Sequence, residues 1–144
     1  MRDPKSSDII GARIRVLYAD TDKMGQAYYG NFMKWFEAGR SEWFRAHGRS
    51  YRKLEEEGYF LPVIEAYCRY YRPVFYDDVI VIQTRLSSPT PARFRFDYSI
   101  YRDGNADEVL AEGYTVHVCV NAERRPVKPP SFLKELATGV HKEE

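Results

Sequence analysis

Apolar residues along this chain recur first with a helical period and then with a period of two. Between Asn31 and His47 they return every three or four positions, which predicts one amphipathic helix closed by Gly48. Gly39, in the middle of this helix, costs helix propensity of about 1 kcal/mol against alanine and predicts a close approach to a sheet. A short polar helix is predicted over about 51–57.

Beyond residue 60 the pattern alternates, as expected for antiparallel strands that bury one face. The apolar sets are Ile64, Ala66, Cys68 and Tyr70; Ile80, Ile82 and Leu86; Phe94, Phe96, Tyr98 and Ile100; and Leu110, Tyr114, Val116, Val118 and Val120. An early strand is predicted over about 12–18, turns at 76–78, 87–91 and 102–105, and a terminal helix over about 132–137. About five strands and one long helix predict an α+β fold, a curved antiparallel sheet wrapped around the helix.

The length and charge indicate one domain, 1–144, with ends expected to be flexible at about 1–9 and 139–144. The 22 basic and 21 acidic side chains give a net charge of +1, so no strong field directs the protein to nucleic acid. The N-terminus carries no apolar leader, and no run approaches the roughly 20 apolar residues of a membrane span. We therefore expect a soluble cytoplasmic protein with no membrane or nucleic-acid partner.

Cysteine and histidine positions imply no metal and no cofactor. Cys68 and Cys119 lie in predicted strands without metal-ligand spacing, so both are expected to be buried, reduced thiols. His47 is expected to contact the carbonyls at the end of its helix. No glycine-framed serine and no phosphate-binding loop are present, which leaves Ser-His-Asp catalysis and nucleotide chemistry without support.

Most of the candidate chemistry lies in an acidic pair, Asp20 and Asp22, ahead of Gly25 and a helix start. Helix N-termini carry unpaired N–H groups and a partial positive charge that polarise a carbonyl oxygen, so a carboxylate beside one suggests acyl transfer. A capped turn is the simpler explanation of Asp20. Asp22 lies too far before Asn31 to cap that helix, and on the residues alone its role stays open.

This segment resembles the signature of hotdog-fold acyl-CoA thioesterases of the 4-hydroxybenzoyl-CoA thioesterase type. The matching positions are Asp20, Thr21, Asp22, Gly25, Tyr29, Asn31, Phe32, Glu37 and Arg40, with a second family-like piece over 71–78. The resemblance covers roughly residues 10 to 130. It implies a hotdog fold, hydrolysis of an acyl-CoA or aroyl-CoA, and an acyl pocket between subunits, hence a homo-oligomer, either a dimer or a homotetramer. Tyr29 matches the hydroxybenzoyl branch, whereas the Tol-Pal branch usually has histidine there.

By this resemblance Asp22 is the catalytic carboxylate, acting as nucleophile or as general base. The backbone amide of Tyr29 polarises the thioester carbonyl, and Asn31 holds the loop and the helix start in place.

The expected substrate-binding residues are Gly25 and Tyr28 near the reacting group and Arg93 and Lys128 on the coenzyme A phosphates. Solvated surface charge also explains the two basic residues. Hydroxybenzoyl-type enzymes carry their basic pair just before this strand, where this chain has Thr90 and Pro91.

Several alternatives stay open. Related hotdog enzymes use a helical carboxylate, here Glu37 or Glu42, although ion pairs with Arg40 and Arg45 explain these residues more simply.

A non-catalytic acyl-CoA-binding protein on the same fold is the main rival. A hydratase needs an acid/base such as histidine near the helix start, where none occurs. An RNA-binding sheet conflicts with the aromatic residues of 94–98, which share the face expected to cover the helix.

Overall fold

The computed structural model describes residues 9–138, which form five strands, three helices and a short 3₁₀ turn. The strands are β1 Ile10–Arg15, β2 Val63–Tyr70, β3 Val79–Thr90, β4 Arg93–Arg102 and β5 Asn105–Val118; the helices are α1 Asn31–Ala46, α2 Tyr51–Glu56 and α3 Ser131–Thr138. Apart from Ile9, the ends predicted to be flexible lie outside the described residues. None of these three helices is long and apolar enough to cross a membrane.

All five strands form one antiparallel sheet in the order β1-β3-β4-β5-β2, with α1 packed on one face. Alternate residues of β3 and β4 are buried against the helix, as their period of two predicts. The face predicted for β5 is wrong: Gly113, Thr115 and His117 pair with the inward residues of β4, so Tyr114, Val116 and Val118 lie on the outer face. Phe36 of α1 stacks on Tyr98 with ring centroids 4.2 Å apart, and the Trp43 ring meets Phe96 edge-on at 5.7 Å. The predicted α+β architecture is confirmed.

Gly39 lies where the backbone of α1 comes close to β3. A Cβ atom added there would sit 2.5 Å from Thr84 Oγ1 and 2.9 Å from Ile82 Cγ2. The predicted close approach is confirmed, since only a residue without a side chain allows this spacing.

Two predicted boundaries are wrong. β1 ends at Arg15, and Tyr18–Asp20 forms the 3₁₀ turn because the Asp20 carboxylate accepts a hydrogen bond from the Leu17 amide (2.9 Å). The predicted turn at 87–91 is mostly strand, because Thr90 still pairs with Arg93 across a register shift.

Strand β2 differs from the other strands because its inward apolar residues stay half exposed. Ile64 is 47% exposed and Tyr70 is 39% exposed. The cause is the position of α1, which packs mainly over β1 and β3 and covers β2 only in part, with Phe32 meeting the Tyr70 ring.

Candidate active site

The loop before α1 is held by backbone pairing with the segment that follows β2. The Ala27 amide donates to the Val74 carbonyl (2.6 Å), and the Tyr76 amide donates to the Gly25 carbonyl (3.0 Å). Gly25 has φ +79°, a left-handed conformation that favours glycine. This pairing holds in place the loop that contains Asp22 and leads into α1.

Asp20 is a structural residue of this loop, as the capped-turn interpretation predicts. It is 4% exposed, and its carboxylate accepts hydrogen bonds from Lys34 Nζ (2.6 Å) and from the Leu17 amide. Burial alone would raise the pKa of Asp20, but the Lys34 hydrogen bond and charge together with the Leu17 amide hold this pKa below its ordinary value. The Asp20 carbonyl accepts from the Tyr28 amide (2.9 Å) and from Asn31 Nδ2 (2.6 Å), so Asn31 ties the loop to the helix start.

Asp22 is exposed and lies in a turn of its own. Its Oδ1 accepts hydrogen bonds from the amides of Met24 (2.8 Å) and Gln26 (3.2 Å). Within residues 9–138, its Oδ2 accepts no hydrogen bond. The turn therefore engages one carboxylate oxygen and leaves the other available to a substrate or a water.

The amide of Tyr29 lies just before α1, whose N-cap is Gly30. The Tyr28 carbonyl accepts from the Asn31 amide (3.0 Å), and the Tyr29 carbonyl accepts from the Phe32 amide (3.1 Å). Among the described residues, the Tyr29 N–H has no recorded acceptor. It is thus an unused donor at the positive end of a 16-residue helix.

A groove of about 270 Å³ opens beside this helix start, lined by Gln26, Tyr29, Tyr70, Tyr71, Arg72 and Pro73. Tyr70, at the end of β2, approaches Tyr29 with ring centroids 4.5 Å apart. Sequence reasoning did not single out Tyr70, although it directly precedes the family-like piece at 71–78.

Residues 16–137 match the family model of the thioesterase-like superfamily. The chain belongs to this family. It is 31% identical over 121 residues to the putative acyl-CoA thioesterase YneP of Bacillus subtilis (84% of this chain, 85% of YneP) and 30% identical over 123 residues to the acyl-CoA thioester hydrolase YbgC of Escherichia coli O157:H7 (85% and 89%). The 4-hydroxybenzoyl-CoA thioesterase structure from Pseudomonas sp. strain CBS-3 has the same fold, with a TM-score of 0.77 at 24% identity (89% and 98%). The predicted hotdog fold and thioester hydrolase class are confirmed at the level of the family.

The basic residues expected to bind this thioesterase's substrate lie far from the Tyr70 end of the sheet within one chain. Arg93 pairs with Val118 of β5, whereas Tyr70 pairs with Ala111, seven positions away. At about 3.3 Å per residue, this separation is roughly 23 Å. Lys128 is exposed and lies in the segment that follows β5. It is therefore beyond the end of β5 that pairs with Arg93.

The helical carboxylates Glu37 and Glu42 line a different groove, about 590 Å³ between β1 and α1, which neither Asp22 nor Tyr29 lines. Glu42 pairs with Arg45, as predicted. The predicted Glu37–Arg40 pair is absent among the described residues.

Arg40 instead turns inward and begins a buried chain of hydrogen bonds that the sequence did not indicate. Its Nη1 donates to Tyr98 Oη (3.0 Å), which bonds Thr115 Oγ1 (2.7 Å). Thr115 Oγ1 contacts His117 Nε2 (2.8 Å), and His117 Nδ1 contacts the Leu61 carbonyl (2.8 Å). Burial lowers the pKa of His117 to about 4; the Leu61 carbonyl opposes this lowering and the Arg40 charge adds to it.

Proposed function

We propose that this thioesterase hydrolyses an acyl-CoA or aroyl-CoA thioester to the free acid and CoA, with Asp22 as the catalytic carboxylate and the Tyr29 amide as the oxyanion donor. One observation carries this proposal. A carboxylate with one available oxygen and an N–H without an acceptor are mounted on the same loop, at the positive end of α1.

Two routes use these groups. In one, an Asp22 oxygen attacks the thioester carbon, the C–S bond breaks, CoA leaves as the thiolate, and water hydrolyses the mixed anhydride. In the other, Asp22 takes a proton from a water that attacks the same carbon, the C–S bond breaks, and CoA leaves as the thiolate, which takes up a proton. Both routes develop negative charge on the carbonyl oxygen, where the Tyr29 N–H and the helix dipole stabilise it. Asn31 holds the loop for either route, and Gly25 and Tyr28 shape its substrate side.

We also propose that the active enzyme is a homo-oligomer in which β2 pairs antiparallel with β2 of a second copy. A partly covered edge strand with half-exposed Ile64 and Tyr70 favours such pairing. Antiparallel pairing puts the start of one β2 beside the Tyr70 end of the other. The second copy then brings Arg93 and Lys128 towards a site that they cannot reach within one chain.

The proposed compartment is the cytoplasm. Cys68 and Cys119 are both free, and burial raises the pKa of both thiols. Unreactive, reduced thiols fit a reducing compartment.

A non-catalytic acyl-CoA-binding protein is the second candidate. The observation that favours it is the turn at Asp22, because the hydrogen bonds to Met24 and Gln26 give this carboxylate a structural role that needs no catalysis.

A thiol-release assay separates the two candidates. The panel comprises benzoyl-CoA, hexanoyl-CoA, palmitoyl-CoA and hexanoyl-acyl carrier protein, with free thiol read colorimetrically and binding measured by calorimetry. Turnover of a CoA ester supports hydrolysis and ranks the acyl groups. Binding without thiol release across the panel would instead support the binding protein.

A further inference from the structure

Tyr70 connects the edge strand β2 to the first residues of α1. Its Oη donates to the Tyr29 carbonyl (3.4 Å), and its ring lies 4.5 Å from the Tyr29 ring at 48°. The same ring meets Phe32 edge-on at 4.8 Å, and Phe32 is buried against Trp35 at 4.9 Å. Tyr70 thus joins an exposed residue, Tyr29, to the rigid core.

We propose that Tyr70 is a positioning residue that holds Tyr29, by its ring and by the carbonyl that follows it, so that the Tyr29 N–H on the preceding peptide meets the thioester oxygen; this inference rests on the proposed function. An oxyanion donor is effective only when its direction is fixed before the reaction. Hydrogen bonds at the start of α1 fix the carbonyls of Tyr28 and Tyr29 from the helix side. Tyr70 holds Tyr29 from the sheet side: its ring packs on the Tyr29 ring, and its hydroxyl donates to the Tyr29 carbonyl.

The phenol of Tyr70 is suited to this role rather than to acid/base chemistry. Burial, with smaller contributions from the neighbouring Cys68 and Tyr29, raises the pKa of Tyr70 to about 12. The hydroxyl therefore stays protonated and keeps donating to the Tyr29 carbonyl.

The test compares Tyr70→Phe, which keeps the ring, with Tyr70→Leu, which removes it. Loss of one long hydrogen bond should lower kcat about two- to threefold. Loss of the ring should lower kcat about 10- to 100-fold, the scale of a misplaced reacting group. KM should stay within about twofold in both variants, because the lost alignment acts in the transition state.

Tyr114 supplies matched controls. It lies on the outer face of β5, where its hydroxyl donates to Glu65 Oε2 (2.8 Å). Tyr114→Phe and Tyr114→Leu make the same chemical changes away from Tyr29 and should leave kcat within about twofold of wild type.

A readout without substrate separates this inference from the proposed function. In ¹H–¹⁵N spectra, the Tyr29 and Gly30 resonances should shift in Tyr70→Phe and not in Tyr114→Phe. Absence of thiol release by the wild type would reject the proposed function, while the spectra still test the contact. The inference is overturned by an unchanged Tyr29 resonance in Tyr70→Phe, by wild-type kcat in folded Tyr70→Leu, or by a change confined to KM. If Tyr70→Leu does not fold, the spectra and the kcat of Tyr70→Phe decide whether the inference holds.

Discussion

Asp20 and Asp22 are separated by one residue and have opposite environments. Asp20 is buried and paired with Lys34, so its charge is already compensated and its pKa is lowered. Asp22 is exposed, and within residues 9–138 its carboxylate accepts hydrogen bonds from two backbone amides and no side chain. A carboxylate that is committed to a buried ion pair is a poor nucleophile or base, whereas one with an available oxygen can act as either.

We predict that Asp22→Asn folds, binds acyl-CoA and loses about 10²- to 10⁴-fold in kcat, because asparagine keeps the shape but not the charge or basicity. Thiol release and thermal unfolding measure this outcome. The control Asp20→Asn should mainly lower stability, by about 1–3 kcal/mol, because Lys34 loses its charged acceptor. Activity retained in Asp22→Asn and lost in Glu37→Gln or Glu42→Gln would move the chemistry onto α1.

At the scale of elements, two features that join α1 to the sheet are a tight contact at Gly39 and a buried polar chain that begins at Arg40. The tight contact is Gly39 against Thr84, whose Oγ1 is buried without a hydrogen-bond partner in the part of the chain that the structure describes. The polar chain runs from Arg40 through Tyr98 to His117. Both features fix how α1 lies on the sheet, and both are sensitive to small changes.

Gly39→Ala should lower the free energy of unfolding by up to about 2 kcal/mol. The new methyl group clashes with Thr84 and Ile82 at a cost of about 1–3 kcal/mol, and the gain in helix propensity of about 1 kcal/mol offsets part of this cost. Urea unfolding measures the change. The control makes Gly39→Ala in a protein that already carries Thr84→Ala. This background lacks the nearest clashing atom, so Gly39→Ala should cost less stability there. Equal costs in the two backgrounds would contradict the contact.

His117 predicts a loss of stability in mild acid. It is 2% exposed, and its pKa of about 4 lies below the ordinary value of 6.5. The unfolded chain therefore takes up the proton first, so stability is full above about pH 6.5 and is lost as the pH falls towards 4. Between pH 7 and pH 5 the loss should be about 2 kcal/mol. His117→Gln cannot take up this proton, so an equally steep pH dependence in this variant would exclude His117 as the cause.

At the scale of the whole molecule, the candidate site lies beside the β2 edge, because Tyr70 of β2 lines its groove. The groove at Tyr29 and Tyr70 lies at one end of the sheet, and the basic residues Arg93 and Lys128 lie at the other. A single chain leaves the site open on the β2 side. The proposed antiparallel pairing of two copies closes this side and shortens the distance between the two groups.

Ile64→Glu should shift the protein towards monomers, because it places a charge on the half-exposed inner side of β2. Light scattering over a dilution series, with kcat measured at the same concentrations, gives both the assembly and the activity. The control Arg85→Glu introduces the same side chain on β3, away from this edge. A monomer with full activity would contradict the shared site.

Local patterns along the chain determined the elements and the acidic motif. The helical period predicted α1, and alternation predicted the strands β3, β4 and β5, because backbone geometry repeats every 3.6 or two residues whatever the distant neighbours are. The face of β5 that is buried was not predicted, because its inward positions are Gly113, Thr115 and His117 rather than apolar residues. The acidic pair before the helix start suggested acyl transfer, and the resemblance to hotdog thioesterases then singled out Asp22 and the Tyr29 amide. These features depend on residues close in sequence, so the sequence alone was sufficient to propose them.

Only the tertiary structure decided which distant residues meet. Strand order left β2 at an edge and brought Tyr70 to Tyr29, 41 positions earlier in the chain. Register brought Tyr98 to Arg40, so this arginine turned inward instead of pairing with Glu37. No local pattern in the sequence predicts these contacts, because they depend on how the sheet curves and where α1 lies across it.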